Sequence, residues 1–172
     1  MKKILFSIAL CLGVVSTYAQ TRQDSNGNTV YHSFFAVAQY QMGDFGFAKY
    51  SSSYGVGMMA SSISHWGAFH VGANVNFGIN AGIVDDWGCI FDFGPSVRVD
   101  ISKACFVNMP IDAVCVATFP KGEDTQTAWG AKISPAIHLF ATERFGVFVG
   151  PQFTIADGGS SVGMVAGISY SF

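Results

Sequence analysis

The chain has 172 residues, 50% of them hydrophobic and only 12% charged, with a formal net charge of −2. That balance speaks against a nucleic-acid partner, which asks for a basic face, and suits an integral membrane protein or an unusually apolar soluble one. Beyond the first twenty residues no apolar run approaches the ~18 that a membrane helix needs, so helical spanning is excluded.

Residues 1–19 read as a secretory signal peptide. Lys2 and Lys3 supply the positive region, Ile4 to Val15 the apolar core, and Thr17-Tyr18-Ala19 the small-residue cleavage site. Cys11 raises lipid attachment, but Leu10 before it is bulky where a lipobox wants a small residue, and the apolar core runs on past it. Losing Lys2 and Lys3 leaves 7 basic against 11 acidic side chains, a net charge of −4. Residues 20–28 (QTRQDSNGN) are polar without apolar period and form a flexible lead-in. Residues 29–172 make one domain.

Alternation with period two begins at Thr29 and defines eight strands. The first, Thr29 to Gln41, separates Phe34, Ala36, Ala38 and Tyr40 from Ser33, Phe35, Val37 and Gln39. After a loop at Met42 to Lys49, the second, Tyr50 to Ala60, sets Tyr54, Val56 and Met58 against Ser53, Gly55 and Gly57, and Ser61 to Ser64 reads as a turn. The third, His65 to Ile79, sorts Phe69, Val71, Ala73, Val75 and Phe77 from His70, Gly72, Asn74 and Asn76. An acidic loop, Asn80 to Gly88, precedes the fourth, Cys89 to Ile101, with Phe91, Phe93, Pro95, Val97 and Val99 opposite Asp92, Gly94, Ser96, Arg98 and Asp100. A tight turn at Ser102 to Ala104 leads to the fifth, which runs to Thr118 with Asn108, Asp112, Val114 and Val116 on its inner face. A polar loop, Phe119 to Gln126, precedes the sixth, Thr127 to Phe140, with Gly130, Lys132, Ser134, Ala136 and His138 facing inward. After a turn at Ala141 to Glu143, the seventh, Arg144 to Ile155, places Gly146, Phe148, Gly150, Gln152 and Thr154 inward. The eighth, Ser161 to Phe172, alternates Val162, Met164, Ala166, Ile168, Tyr170 and Phe172 with Ser161, Gly163, Val165, Gly167, Ser169 and Ser171.

One greasy face and one small, polar face make sense if the greasy face meets lipid, because a soluble barrel would leave Gly and Ser outside, covering nothing. Only helices and closed sheets satisfy every backbone group in a bilayer. The fold class expected is therefore all-β, an eight-stranded antiparallel up-and-down transmembrane β-barrel. Aromatics collect at two levels, with Trp66, Phe106, Phe145, Tyr170 and Phe172 at one end and Tyr40, Tyr50, Trp87, Phe119, Trp129 and Phe153 at the other, as two interfacial girdles require. Pro95, Pro110, Pro135 and Pro151 fall inside strands, where each removes a ladder bond or forces a bulge, and the Gly94-Pro95 and Gly150-Pro151 pairs are read as bulges.

Inward by parity lie Asp92, Arg98, Asp100, Asn108, Asp112, Lys132, His70 and His138, with Asn74, Asn76 and Gln152 among them. Eight strands leave an interior that side chains fill, so Asp112 is expected to pair with Lys132 across the hairpin. Arg98 is expected to meet Asn108, His70 or a neighbouring carboxylate. None of His32, His65, His70 and His138 falls at the end where outer-leaflet lipid would meet a general base, and no His/Cys/Asp spacing converges on a metal. No catalytic residue, metal ligand or cofactor is assigned. Cys105 and Cys115 are too far apart on one strand to bond, whereas Cys89 and Cys115 come near each other across the fourth and fifth strands, either as a disulfide or as plain thiols. The acidic residues of the loops, Asp44, Asp85, Asp86, Glu123, Asp124 and Asp157, read as solvated charges or as a cation or basic-partner surface.

The even count, the alternation of long and short connections and the strand pattern over 29–172 resemble the small eight-stranded bacterial outer-membrane barrels of the OmpA-transmembrane and OmpX-like class. The terminal stretch SVGMVAGISYSF, with Ile168, Tyr170 and a final Phe172, resembles their C-terminal assembly signal. The resemblance implies export to the outer membrane of a Gram-negative envelope, with residues 20–28 and both termini in the periplasm. It also implies outer-membrane lipid and the barrel-assembly machinery as partners. It points to a non-enzymatic envelope component or loop-display scaffold with a plugged lumen. A porin-like conduit for small molecules, hydrophobic ones included, is the first alternative, and an outer-membrane lipid-modifying enzyme the second. No sequence feature identifies a surface ligand.

Overall fold

A computed structural model describes residues 32–44, 52–81, 87–102, 104–119, 122, 124–142, 144–157 and 159–171. The leader, the lead-in, Cys11, Tyr50, Asp85, Asp86, Glu123 and Phe172 lie outside the described residues, as do the side chains of His32, Asp44 and His65. Nine strands are formed: β1 (His32–Asp44), β2 (Ser52–Trp66), β3 (Phe69–Ala81), β4 (Trp87–Ser102), β5 (Cys105–Phe119), β6 (Gln126–Ile133), β7 (Ala136–Phe140), β8 (Phe145–Ala156) and β9 (Gly159–Ser171). All neighbours are antiparallel. β6 and β7 pair in one continuous register with β5 and with β8, so together they make a single stave. β1 closes onto β9 from Ser33↔Ser171 to Asp44↔Ser160, which completes a ring of eight.

The strands form where β-branched and aromatic residues alternate with small or polar ones, and the burial follows that alternation to the letter along β8, whose side chains are exposed and buried in strict turn. The resulting shell is inverted relative to a soluble protein. Val147, Val149, Phe153, Ile168 and Leu139 stand outside, while Asp92, Asn108, Asp112, Lys132 and Gln152 are buried inside. Aromatic pairs mark the two ends: Trp87 stacks on Phe119 at 4.3 Å, and Phe145 meets Tyr170 edge to face at 5.1 Å. The first end is here named the loop end and the second, where Gly67 and Ala68 join β2 to β3, the turn end.

Several sequence expectations are corrected. Ser61 to Ser64 is not a turn; β2 continues through it with a register shift between Ala60 and Ser64, and the chain reverses at Gly67, whose φ of 62° only glycine adopts freely. A serine run resembles turn chemistry, but the outward Ile63 and Trp66 extend the strand. The Gly-Pro pairs carry no bulge. Register is kept across Gly94-Pro95, since Phe93↔Ala113 and Ser96↔Pro110 belong to one frame, and the proline merely interrupts the ladder. Pro135 divides the sixth stave into β6 and β7 for the same reason. Phe106 is absent from the girdle: it shares the parity of Asn108, points inward and is 2% exposed.

Candidate functional site: the filled lumen

The interior is layered. Nearest the loop end, Ile90, Val114, Val116, Ala128 and Ala156 form an apolar cluster, three of them 1% exposed or less. Parity assigned Val114 and Val116 to the lumen, but an apolar tier was not expected of an otherwise polar interior. It arises because β4, β5, β6 and β8 each turn an aliphatic residue inward at this level.

The middle tier is ionic. Lys132 of β6 stands opposite Asp112 of β5 in the ladder, yet its Nζ lies 2.7 Å from Asp92 Oδ2 of β4 and 3.6 Å from Asp112 Oδ2. Two amides from β3 complete the tier: Asn74 Nδ2 donates to Asp112 Oδ1 at 3.0 Å, and Asn76 Nδ2 to Asp92 Oδ2 at 3.0 Å. Asn108, the ladder partner of Arg98, donates instead to Met59 Sδ across the lumen at 3.0 Å. These groups surround a cavity of about 60 Å3, also lined by Ser134, Gln152 and Gln39.

Below it lies a stack of planar groups. The Arg98 guanidinium sits 4.2 Å over the Phe106 ring, Phe106 stacks on His138 at 4.5 Å, His138 on Phe148 at 4.8 Å, and Phe148 meets Phe35 edge-on at 5.9 Å. Arg98 Nε also donates to Asp100 Oδ1 at 2.6 Å, and Asp100 Oδ2 lies 3.0 Å from His70 Nε2, which makes a charged rim at the turn end. At the same end the Ser33 and Ser171 hydroxyls share a 2.8 Å bond across the closing seam. The outward side chains of Ile168 and Tyr170 stand on the opposite face of β9 from that bond, and Arg144 reaches the Tyr170 hydroxyl at 3.4 Å.

The planar stack went unread in the sequence, although a signal was present. Phe35 pairs with Gly57 and Phe148 with Gly167, and in each case the ring lies where a side chain on the glycine would stand: a Cβ there would come within 2.7 Å of ring carbons. A large inward aromatic opposite a glycine was the clue. Cys89 pairs with Ala117 and Cys115 with Phe91, and Cys89, Cys105 and Cys115 are free thiols. Among the described residues no three His, Cys, Asp or Glu side chains are placed to hold a metal ion.

The closed ring, the inverted shell and the filled interior can be set beside known structures. Neisserial surface protein A superposes with a TM-score of 0.56 at 11% identity, over 82% of this chain and 97% of that one. Ail, the attachment invasion locus protein of Yersinia pestis, superposes with 0.57 at 8% identity, over 83% and 99%. The same protein in complex with the heparin analogue sucrose octasulfate gives 0.53, also at 8% identity. The fold is that of the small eight-stranded outer-membrane barrels. No protein-family description matches the sequence, and no curated protein matches it either. At such identities the likeness extends to the fold alone.

Proposed function

We propose that this chain is an exported, non-enzymatic outer-membrane barrel whose lumen is closed by its own side chains, serving as an envelope component or as a scaffold that displays its loop-end connections. The carrying observation is the layered interior: an aliphatic tier, an ionic tier and a planar stack succeed one another from loop end to turn end. In this reading residues 1–19 direct export, lipid covers the outward Val, Ile and Phe side chains, and Ile168, Tyr170 and Phe172 engage the assembly machinery. The histidines support a structural role. His138 is held between two phenyl rings, and His70 is tied to Asp100 at the turn end, away from any loop-end lipid. The test is membrane fractionation with heat-modifiable gel mobility, followed by planar-bilayer recording. A folded band that shifts on boiling and a silent bilayer are expected; recovery in the soluble periplasm overturns the location, and a steady open conductance overturns the closed lumen.

A further inference from the structure

The ionic tier is short of one positive charge. Lys132 meets both Asp92 and Asp112, all three at most 5% exposed, while Arg98 is engaged by Asp100 at the turn end. It is also short of donors. Asn74 and Asn76 must turn their NH2 groups to the carboxylates, so their carbonyl oxygens face elsewhere. Neither of those oxygens has a partner, and nor do Asp92 Oδ1, Asn108 Oδ1 or either amide atom of Gln152. Gln152 is 1% exposed, and a buried amide left unbonded at both ends is costly enough that native structures rarely keep one.

All of these residues line the same cavity of about 60 Å3, which has room for roughly two water-sized occupants at the ~30 Å3 a water takes in the liquid. Orphaned amide or carboxylate oxygens belong to four of the residues that line it, Asn74, Asp92, Asn108 and Gln152, while the orphaned oxygen of Asn76 lies against Gly55; they stand against one orphaned amide N–H group, that of Gln152, and Ser134 Oγ and His138 Nδ1 serve either role. Water alone would bond the oxygens and leave the charge uncompensated. A divalent ion would overcompensate it, and soft metals prefer nitrogen and sulfur ligands to oxygen. Hard oxygen donors around one net negative charge match a small monovalent cation.

We propose that the mid-lumen cavity binds a sodium-class monovalent cation through Asp92 and the carbonyl oxygens of Asn74, Asn108 and Gln152, with Lys132 kept on the two carboxylates. The site rests on the closed lumen described above and adds a ligand to it. A proton on the carboxylate pair is the competing neutraliser.

The test is thermal unfolding of the full mature chain, folded in detergent, at fixed pH in sodium chloride against N-methylglucamine chloride of equal ionic strength. Sodium should raise the midpoint by on the order of 4 °C once it stands tenfold above its dissociation constant. Asp92→Asn and Gln152→Met should each abolish that difference, and Gln152→Met, which keeps volume and charge, carries the comparison if Asp92→Asn does not fold. Equal melting in the two salts overturns the cation, and so does a sodium shift that survives in the variants; equal melting with stability falling as pH rises identifies the proton instead. Bilayer conductance is read separately: an open pore overturns the closed lumen, whereas a silent bilayer without a sodium effect overturns the cation site alone.

Discussion

The two walls of the barrel are stitched differently. Where β8, β9, β1 and β2 meet, backbone pairing runs unbroken, from Phe145↔Tyr170 to Ala156↔Gly159, from Ser33↔Ser171 to Asp44↔Ser160 and from His32↔Ala60 to Tyr40↔Ser52. On the opposite wall three successive seams lose pairs: β4–β5 around Pro95, β5 with β6 and β7 around Pro110 and Pro135, and β8 with β6 and β7 around Pro135 and Pro151. The interrupted wall is also the one that carries Asp92, Asp112 and Lys132, one residue on each of β4, β5 and β6. Lost ladder bonds weigh heavily in a bilayer, where no water replaces them. Side-chain ionic contacts thus tie together the staves that the backbone ties less, and that division of labour can be broken from either side.

Lys132→Ala should have the largest effect, about 3–5 kcal/mol of destabilisation, since it leaves two buried carboxylates without their cation. Denaturant unfolding in detergent checks the size. Hydrogen exchange checks the place, because β4, β5 and β6 should lose protection before β9 and β1. In double-mutant cycles with Lys132→Ala, Asp92→Ala should couple more strongly than Asp112→Ala, following the 2.7 Å and 3.6 Å separations; strict additivity of both cycles would refute the stitching role.

Gly150→Ala comes next, at about 1–3 kcal/mol. A Cβ there would fall within 2.7 Å of the Ala136 backbone, where the strands approach closely beside Pro135. Gly67→Ala, in open space at the turn, should cost less, about 1 kcal/mol, from its positive φ alone; equal unfolding midpoints for the two variants would show that the proline wall is not tightly packed.

Tyr170→Asp places a charge on the outer face near the turn end and should cost about 1 kcal/mol or less in folded stability, with a larger drop in membrane insertion if the terminal strand is also read by the assembly machinery. Pulse-chase membrane fractionation separates the two quantities. An effect of similar size belongs to the continuous wall. Ser33→Ala removes one hydroxyl bond to Ser171 and should cost about 1 kcal/mol, with exchange rising only along β1 and β9, since the unbroken ladder beside it remains.

Much of this architecture was legible because period-two alternation states which face a residue takes. It puts Gln152 and Val165 on the faces of their strands that the structure buries, but Phe106, which the same alternation turns inward, reads as a girdle aromatic. It failed where identity depends on what lies opposite. Ser61 and Ser62 look like a turn until Ile63 and Trp66 are seen to extend the outer face. Asp112 is the hairpin neighbour of Lys132, and hairpin folding finds it, but the flexible lysine reaches closer to Asp92, one strand beyond. Phe35, Phe106, His138 and Phe148 come from four strands, and their stacking follows from the register of the whole ring, which no single window of sequence contains.

The glycine seats beneath the rings bear on how the cylinder closes. Sliding β8 by two residues along β9 would keep every side chain on its proper face, so polarity alone does not penalise the error. Such a slide moves Phe148 from Gly167 onto Val165 or Ser169, whose side chains occupy the space the ring needs. Because Phe148 also meets Phe35 across the β1–β9 junction, the misfit is felt at the seam that closes the ring. The aromatic and its vacant seat act as a key and ward, admitting one alignment of the closing strands among those that hydrophobic pattern would allow.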